Sequence, residues 1–142
     1  MTITEESTAL RIVLAYHRAW TAKDVDRAMT YLAEDIICDA PAGRLEGVAA
    51  YRAFLTPFAQ SLISTDLIAA YGDEEQALIM YDTASALVAS APGAECVTVR
   101  AGRITYSRFL FDRLPFVEAR RAARGARLSP FRLCVPGPGR RP

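Results

Sequence analysis

The spacing of apolar residues changes period once along this chain, and that change limits the possible folds more than any other feature. Up to Phe58 they recur every three or four positions, as along one face of a helix; from Ile63 onward they alternate, as in strands with one buried face. A chain that places its helices first and its strands afterwards is expected to be an α+β domain, the helices laid against one side of an antiparallel sheet. At 142 residues it has enough length for one core and too little for two independent ones.

The first helix is expected to be capped at Thr4 or Ser7 and to turn Leu10, Val13, Leu14, His17 and Trp20 inward. Asp24 caps a second, short helix through Val25, Ala28, Met29 and Leu32. A brief strand, Ile36–Ala40, ends at Pro41-Ala42-Gly43, and a third helix carries Val48, Tyr51, Phe54, Leu55 and Phe58, bent or ended near Pro57. Strands then follow at about 64–71, 76–88, 95–101 and 103–114. Their connections, Gly72–Glu75, Ser90–Gly93 and Ala101-Gly102-Arg103, are short enough to require antiparallel pairing. The longest of these strands is expected to twist and wrap, so that one sheet face looks into a hollow closed by the helices. Beyond Pro115, Phe116–Arg124 reads as a short helix stopped by Gly125, and Phe131–Val135 as an edge strand or a clasp on a neighbour. The final Pro- and Gly-rich stretch reads as a tail. The expected organisation is thus one domain over 1–124 and an arginine-, proline- and glycine-rich extension over 125–142.

Seventeen basic and sixteen acidic side chains leave a net charge of +1, so no whole-molecule field gathers nucleic acid or anionic lipid. From Arg100 to Arg141 there are eleven arginines against only Asp112 and Glu118, which reads more readily as a solvated edge or dimer rim than as an anion-binding or RNA-binding end. No window approaches the roughly 18 apolar residues of a membrane span, and Glu5 and Glu6 interrupt any export signal. Cys38, Cys96 and Cys134 are odd in number and far apart, as expected of reduced thiols in a cytoplasmic protein. A single histidine excludes a multi-histidine metal site. Phosphate loop, nucleophile elbow and dinucleotide fingerprint are all missing, so neither metal nor cofactor is expected.

Three local patterns carry a family resemblance. They are Tyr16-His17-Arg18-Ala19-Trp20 with Lys23-Asp24 and Met29 to Asp35; Gly43-Arg44-Leu45-Glu46-Gly47 through Tyr51; and Gly102-Arg103-Ile104 leading to Phe109-Leu110-Phe111-Asp112. In their order and combination the chain resembles the nuclear transport factor 2-like superfamily, and within it the SnoaL-like branch. The resemblance implies a cone-shaped, curved antiparallel sheet packed on N-terminal helices, the cystatin-like α+β barrel. It further implies a cavity between sheet and helices and a homodimer through the outer sheet face. Members include steroid isomerases, polyketide cyclases, dehydratases and epoxide hydrolases, together with binding proteins that perform no chemistry. The water-holding residues of the epoxide hydrolases are not matched, because Phe109 stands where one aspartate is expected and Ile79–Thr83 lacks the Arg-x-Asp strand motif.

The candidate acid-base groups are His17, whose ordinary pKa suits proton transfer near neutrality, and Asp39, whose pKa would rise if it entered an apolar cavity. Each also has a structural reading, His17 as a packed helix residue and Asp39 as a solvated residue at a bend. Tyr81 and Asp82 must face opposite sides of their strand; Tyr81 inside would donate to a substrate oxygen. Tyr16, Trp20, Tyr31, Tyr51, Phe54 and Phe58 are available from the helical part to line a pocket. Ser107, Phe109 and Phe111 join them if the last strand turns that series inward. Tyr106, Arg108 and Leu110 then form an outward stripe suited to a two-fold interface, whereas the opposite parity makes Arg108 a ligand anchor.

These readings converge on a protein that binds a small, mostly apolar, ring-containing molecule. The chemistry, if any, is cofactor-free proton transfer in an isomerase, cyclase or dehydratase. The alternative is a non-catalytic ligand-binding or dimeric interaction protein of the same fold, which an interior without carboxylate or imidazole would favour.

Overall fold

The computed structural model describes residues 7–128. The chain begins with α1 (Thr8–Thr21) and α2 (Val25–Met29), then a hairpin of β1 (Leu32–Ala40) and β2 (Gly43–Glu46), then α3 (Val48–Ser61). Four strands follow, β3 (Leu62–Gly72), β4 (Gln76–Ser85), β5 (Gly93–Arg100) and β6 (Arg103–Phe111), and α4 (Leu114–Leu128) closes the described chain. Among the described residues no helix is long and apolar enough to cross a membrane. The expected cap at Thr4, the segment Phe131–Val135, Cys134 and the terminal tail lie outside the described residues.

Local chemistry accounts for the helix starts. Asp24 Oδ1 accepts the Arg27 amide at 3.1 Å, the N-cap bond that begins α2. Ser7 precedes α1 without a side-chain bond; the first amides of that helix are met instead by Glu74 Oε2 on Thr8 and the Asp73 carbonyl on Ala9, both at 3.2 Å. Pro57 lies inside α3, which continues to Ser61 instead of stopping. Likewise α4 runs through Gly125 to Leu128, the alanines and arginines around it outweighing a glycine cost of about 1 kcal/mol.

One sheet contains all six strands, in the order β2-β1-β6-β5-β4-β3. Two features correct the expected cone-shaped, curved antiparallel barrel. First, β2 and β3 occupy opposite edges and do not pair, so the sheet stays open. Second, β1 runs parallel to β6, with Ile37 opposite Tyr106 and Asp39 opposite Arg108, so the sheet is mixed. The cause is connection length. The strands from β3 to β6 are joined by short loops and have no choice of direction, whereas β1 reaches β6 only across α3 and four strands and can enter in either sense.

The alternation does settle which face is buried. On β4, Ala77, Ile79, Tyr81, Thr83 and Ser85 turn inward, and on β5 Gly93, Glu95, Val97 and Val99 do so. With Ile36 and Cys38 of β1 and Ile104, Ser107 and Phe109 of β6, they meet Val13, Tyr16 and Trp20 of α1 and Tyr51 and Leu55 of α3. The core therefore sits between the inner sheet face and α1 and α3, and the candidate site opens at one end of it.

Candidate functional site

A cavity of about 480 Å³ lies between α3, the inner face of β4–β6, the β4–β5 connection and α4. Its floor is buried and aromatic, formed by Trp20, Tyr51, Tyr81 and Phe109; its mouth is built from exposed residues, among them Ala53, Pro57, Arg113 and Arg120. The wall is a chain of ring contacts. Phe54 meets Phe109 at 6.0 Å between centroids, Phe109 meets Phe111 at 5.0 Å, and Phe116 of α4 reaches both Phe111 at 5.6 Å and Phe58 at 6.2 Å. Such edge-on and tilted packing leaves flat apolar surface for a ring-shaped guest.

Into this floor β5 projects a carboxyl group. Glu95 is 2% exposed and lines the cavity. The Tyr51 hydroxyl donates to its Oε1 and the Tyr81 hydroxyl to its Oε2, each at 3.2 Å, while the Tyr16 and Tyr51 hydroxyls share a bond of 2.6 Å. Burial pushes the Glu95 carboxyl up from 4.5 to about 7, and the bonds from Tyr81 and Tyr51 hold it from going further. All three phenols are driven well above 10.0, by burial first; beyond that, the Glu95 charge heads the causes for Tyr16 and Tyr81, and Tyr16 for Tyr51. They therefore remain donors. Gly93 faces Tyr81 across the β4–β5 ladder, and a Cβ there would come within 3.1 Å of the phenol ring, so the ring lies where it does because position 93 has no side chain.

The structure brings several of the candidate residues to this place and sets others apart. Tyr81, Trp20, Tyr51, Phe54, Phe58, Phe109 and Phe111 line the cavity. His17 lies behind that lining: its ring packs 4.6 Å from Tyr81 and 5.1 Å from Trp20, its Nδ1 has no partner among the described residues, and burial lowers its pKa to about 4. Tyr16 reaches the cavity only through Tyr51. Ser107 is buried beside the core without lining the cavity, and Tyr31 is half-buried in the turn just before β1. Asp39 falls on the opposite strand face from the buried Cys38 and takes bonds from Arg44 Nε at 2.8 Å and the Tyr106 hydroxyl at 2.7 Å. Those partners hold it down at about 2, so it stays ionised. Arg108 pairs in register with Asp39 on the outer face rather than reaching the cavity.

Glu95 is the residue that sequence reasoning passed over. Its signal was present, since it shares the parity of Val97 and Val99, but a glutamate near a predicted strand start reads as a solvated end.

A family model described as "SnoaL-like domain" matches residues 13–107. A crystal structure of a Kribbella flavida protein is similar at 49% identity and TM-score 0.81, covering 84% of this chain and 99% of that one. An NTF2-like protein from Cytophaga hutchinsonii, at 18% identity and TM-score 0.66, covers 82% and 99%. A steroid delta-isomerase from Pseudomonas aeruginosa, at 14% identity and TM-score 0.67, covers 90% and 96%; these two likenesses speak for the fold alone. No curated protein matches the chain. With two thirds of its length under that family model and a solved relative 49% identical over 84% of it, this chain belongs to the SnoaL-like family, and its fold is that of NTF2-like proteins.

Proposed function

We propose that this protein binds a small, ring-containing organic molecule in the aromatic cavity and moves a proton on it, with Glu95 as the acid-base group. One observation carries the reading: a buried carboxyl that accepts from two tyrosine hydroxyls stands on the floor of a cavity lined mostly by rings and aliphatic groups, and that burial pushes its pKa up to about 7. A group half-protonated at neutrality can both take and return a proton, which is what isomerisation, cyclisation or dehydration next to a carbonyl requires. The two phenols complete the arrangement. When Glu95 takes a proton from carbon it becomes a weaker acceptor, and the Tyr81 or Tyr51 hydroxyl is released to donate to the oxyanion that develops on the substrate. His17, neutral and behind Tyr81, supports that ring and takes no proton itself. Asp39, ionised on the other face, belongs to the surface.

Deuterium uptake at the activated carbon of a fused-ring ketone such as β-tetralone, followed by NMR in heavy water, tests the reading. The protein should accelerate exchange over buffer with a midpoint near the Glu95 pKa, and Glu95→Gln should remove about a hundredfold or more of that acceleration. Exchange unaffected by Glu95→Gln would sink the assignment. Binding without turnover is the second reading, favoured by the fact that both Glu95 oxygens already hold a donor; ring ligands would then raise thermal stability equally in the wild type and in Glu95→Gln.

We also propose that two copies associate through the outer sheet face. Leu78, Met80 and Leu110 are exposed there at 48%, 45% and 57%, an apolar group large enough to favour a partner surface of the same kind.

A further inference from the structure

Two of the residues at the cavity mouth are arginines, and the aromatic floor gives them nothing to do. Arg113 and Arg120 both line the cavity and are both exposed. Among the described residues neither is in a salt bridge; those bridges join Arg44 to Asp39 and Arg52 to Asp26. The Val117 amide donates to the Arg113 carbonyl at 3.0 Å, a helical bond that brings Arg113, Val117, Arg120 and Arg124 onto one side of α4. Glu118, the acid nearest to Arg120, is two residues away and falls on another side of the helix. The row continues past the mouth, because Arg120 also borders a smaller hollow of about 200 Å³ shared with Leu87, Ala123 and Arg124.

We infer that the ligand of this cavity is an anionic amphiphile, with an apolar ring system on the aromatic floor and a carboxylate or phosphate group laid on the Arg113–Arg120 row at the mouth. The inference rests on the pocket reading above and specifies the class of molecule it takes. The direction of entry follows from charge. The ionisable group on the floor is an acid, which disfavours an anion there, whereas two guanidinium groups at the rim, in no ion pair among the described residues, offer the planar donor forks that carboxylates and phosphates fit. A neutral ring compound would fill the cavity equally well and leave both arginines unused.

Anilinonaphthalene sulfonate and its uncharged parent, phenylnaphthylamine, share one ring system and differ by the anion, so paired fluorescence titrations isolate the rim. At low salt the wild-type protein should bind the sulfonate about tenfold more tightly, the preference narrowing as salt is added. The double variant Arg113→Gln/Arg120→Gln should lose the preference and bind the two probes about equally. Arg121→Gln, which removes a neighbouring charge that does not line the cavity, should keep the preference. Equal wild-type affinities, a preference that survives the double variant, or an equal loss in Arg121→Gln would each overturn the inference. Ala53→Trp, which fills the mouth, separates this failure from that of the pocket itself. If it leaves phenylnaphthylamine binding intact, the probe lies elsewhere and both readings fall; if it abolishes binding while the arginines prove irrelevant, only the inference does.

Discussion

Two buried titratable groups lie on either side of Tyr81: Glu95, which receives its hydroxyl, and His17, whose ring packs against it. Glu95 has a folded pKa above its unfolded one, so the stability it contributes is complete below about pH 4.5 and is lost as the pH rises through about 7. His17 has a folded pKa below its unfolded one, so its contribution is complete above about pH 6.5 and is lost as the pH falls through about 4. Each shift corresponds to something on the order of 3 kcal/mol. Between about pH 4.5 and 6.5 the slopes oppose, and the urea midpoint of the wild type should be nearly flat. Glu95→Gln should expose the histidine alone, giving a midpoint that climbs with pH across that window; a profile as flat as the wild type would show that Glu95 is not buried as a protonated acid.

At the scale of elements, α2 offers the simplest check of local chemistry. It is five residues long and begins on a single side-chain bond from Asp24, so Asp24→Ala should cost about 1 kcal/mol, read as a lowered melting temperature with an unchanged far-ultraviolet spectrum. The helices and the meander were legible because their signals are local: caps, turn glycines and a period of two. Strand alternation was legible for the same reason, and it groups Ser107 with Phe109 on what proves to be the buried face of β6. What stayed hidden is what depends on partners distant in sequence. The strand β2, Gly43–Glu46, is too short to show a period and is mostly exposed, and it exists because β1 offers it an edge. The parallel entry of β1 beside β6, the open sheet and the approach of Tyr51 to Glu95 likewise arise from packing across the whole chain. Asp39 illustrates the limit well, since neither its outward parity nor its Arg44 and Tyr106 partners, which lower the pKa of an already ionised carboxylate, could be read from its own stretch of sequence.

For the molecule as a whole, the apolar outer face gives a prediction about assembly. Leu78→Glu should convert a dimer to a monomer in light-scattering measurements, and should speed alkylation of Cys96, which lies opposite Leu78 on the same face. A monomeric wild type would remove the proposed interface. The parallel seam between β1 and β6 has a different consequence, one of timing. Its residues, such as Asp39 and Tyr106, are 67 positions apart, whereas the hairpins from β3 to β6 close loops of a few residues. Ring closure over so long a span costs entropy that local contacts cannot offset, so the hairpins assemble early and the seam zips late. The third helix, which rests on β1 and β2, is therefore fixed only once that edge has joined, and the hollow it walls acquires its shape after most of the molecule has already set.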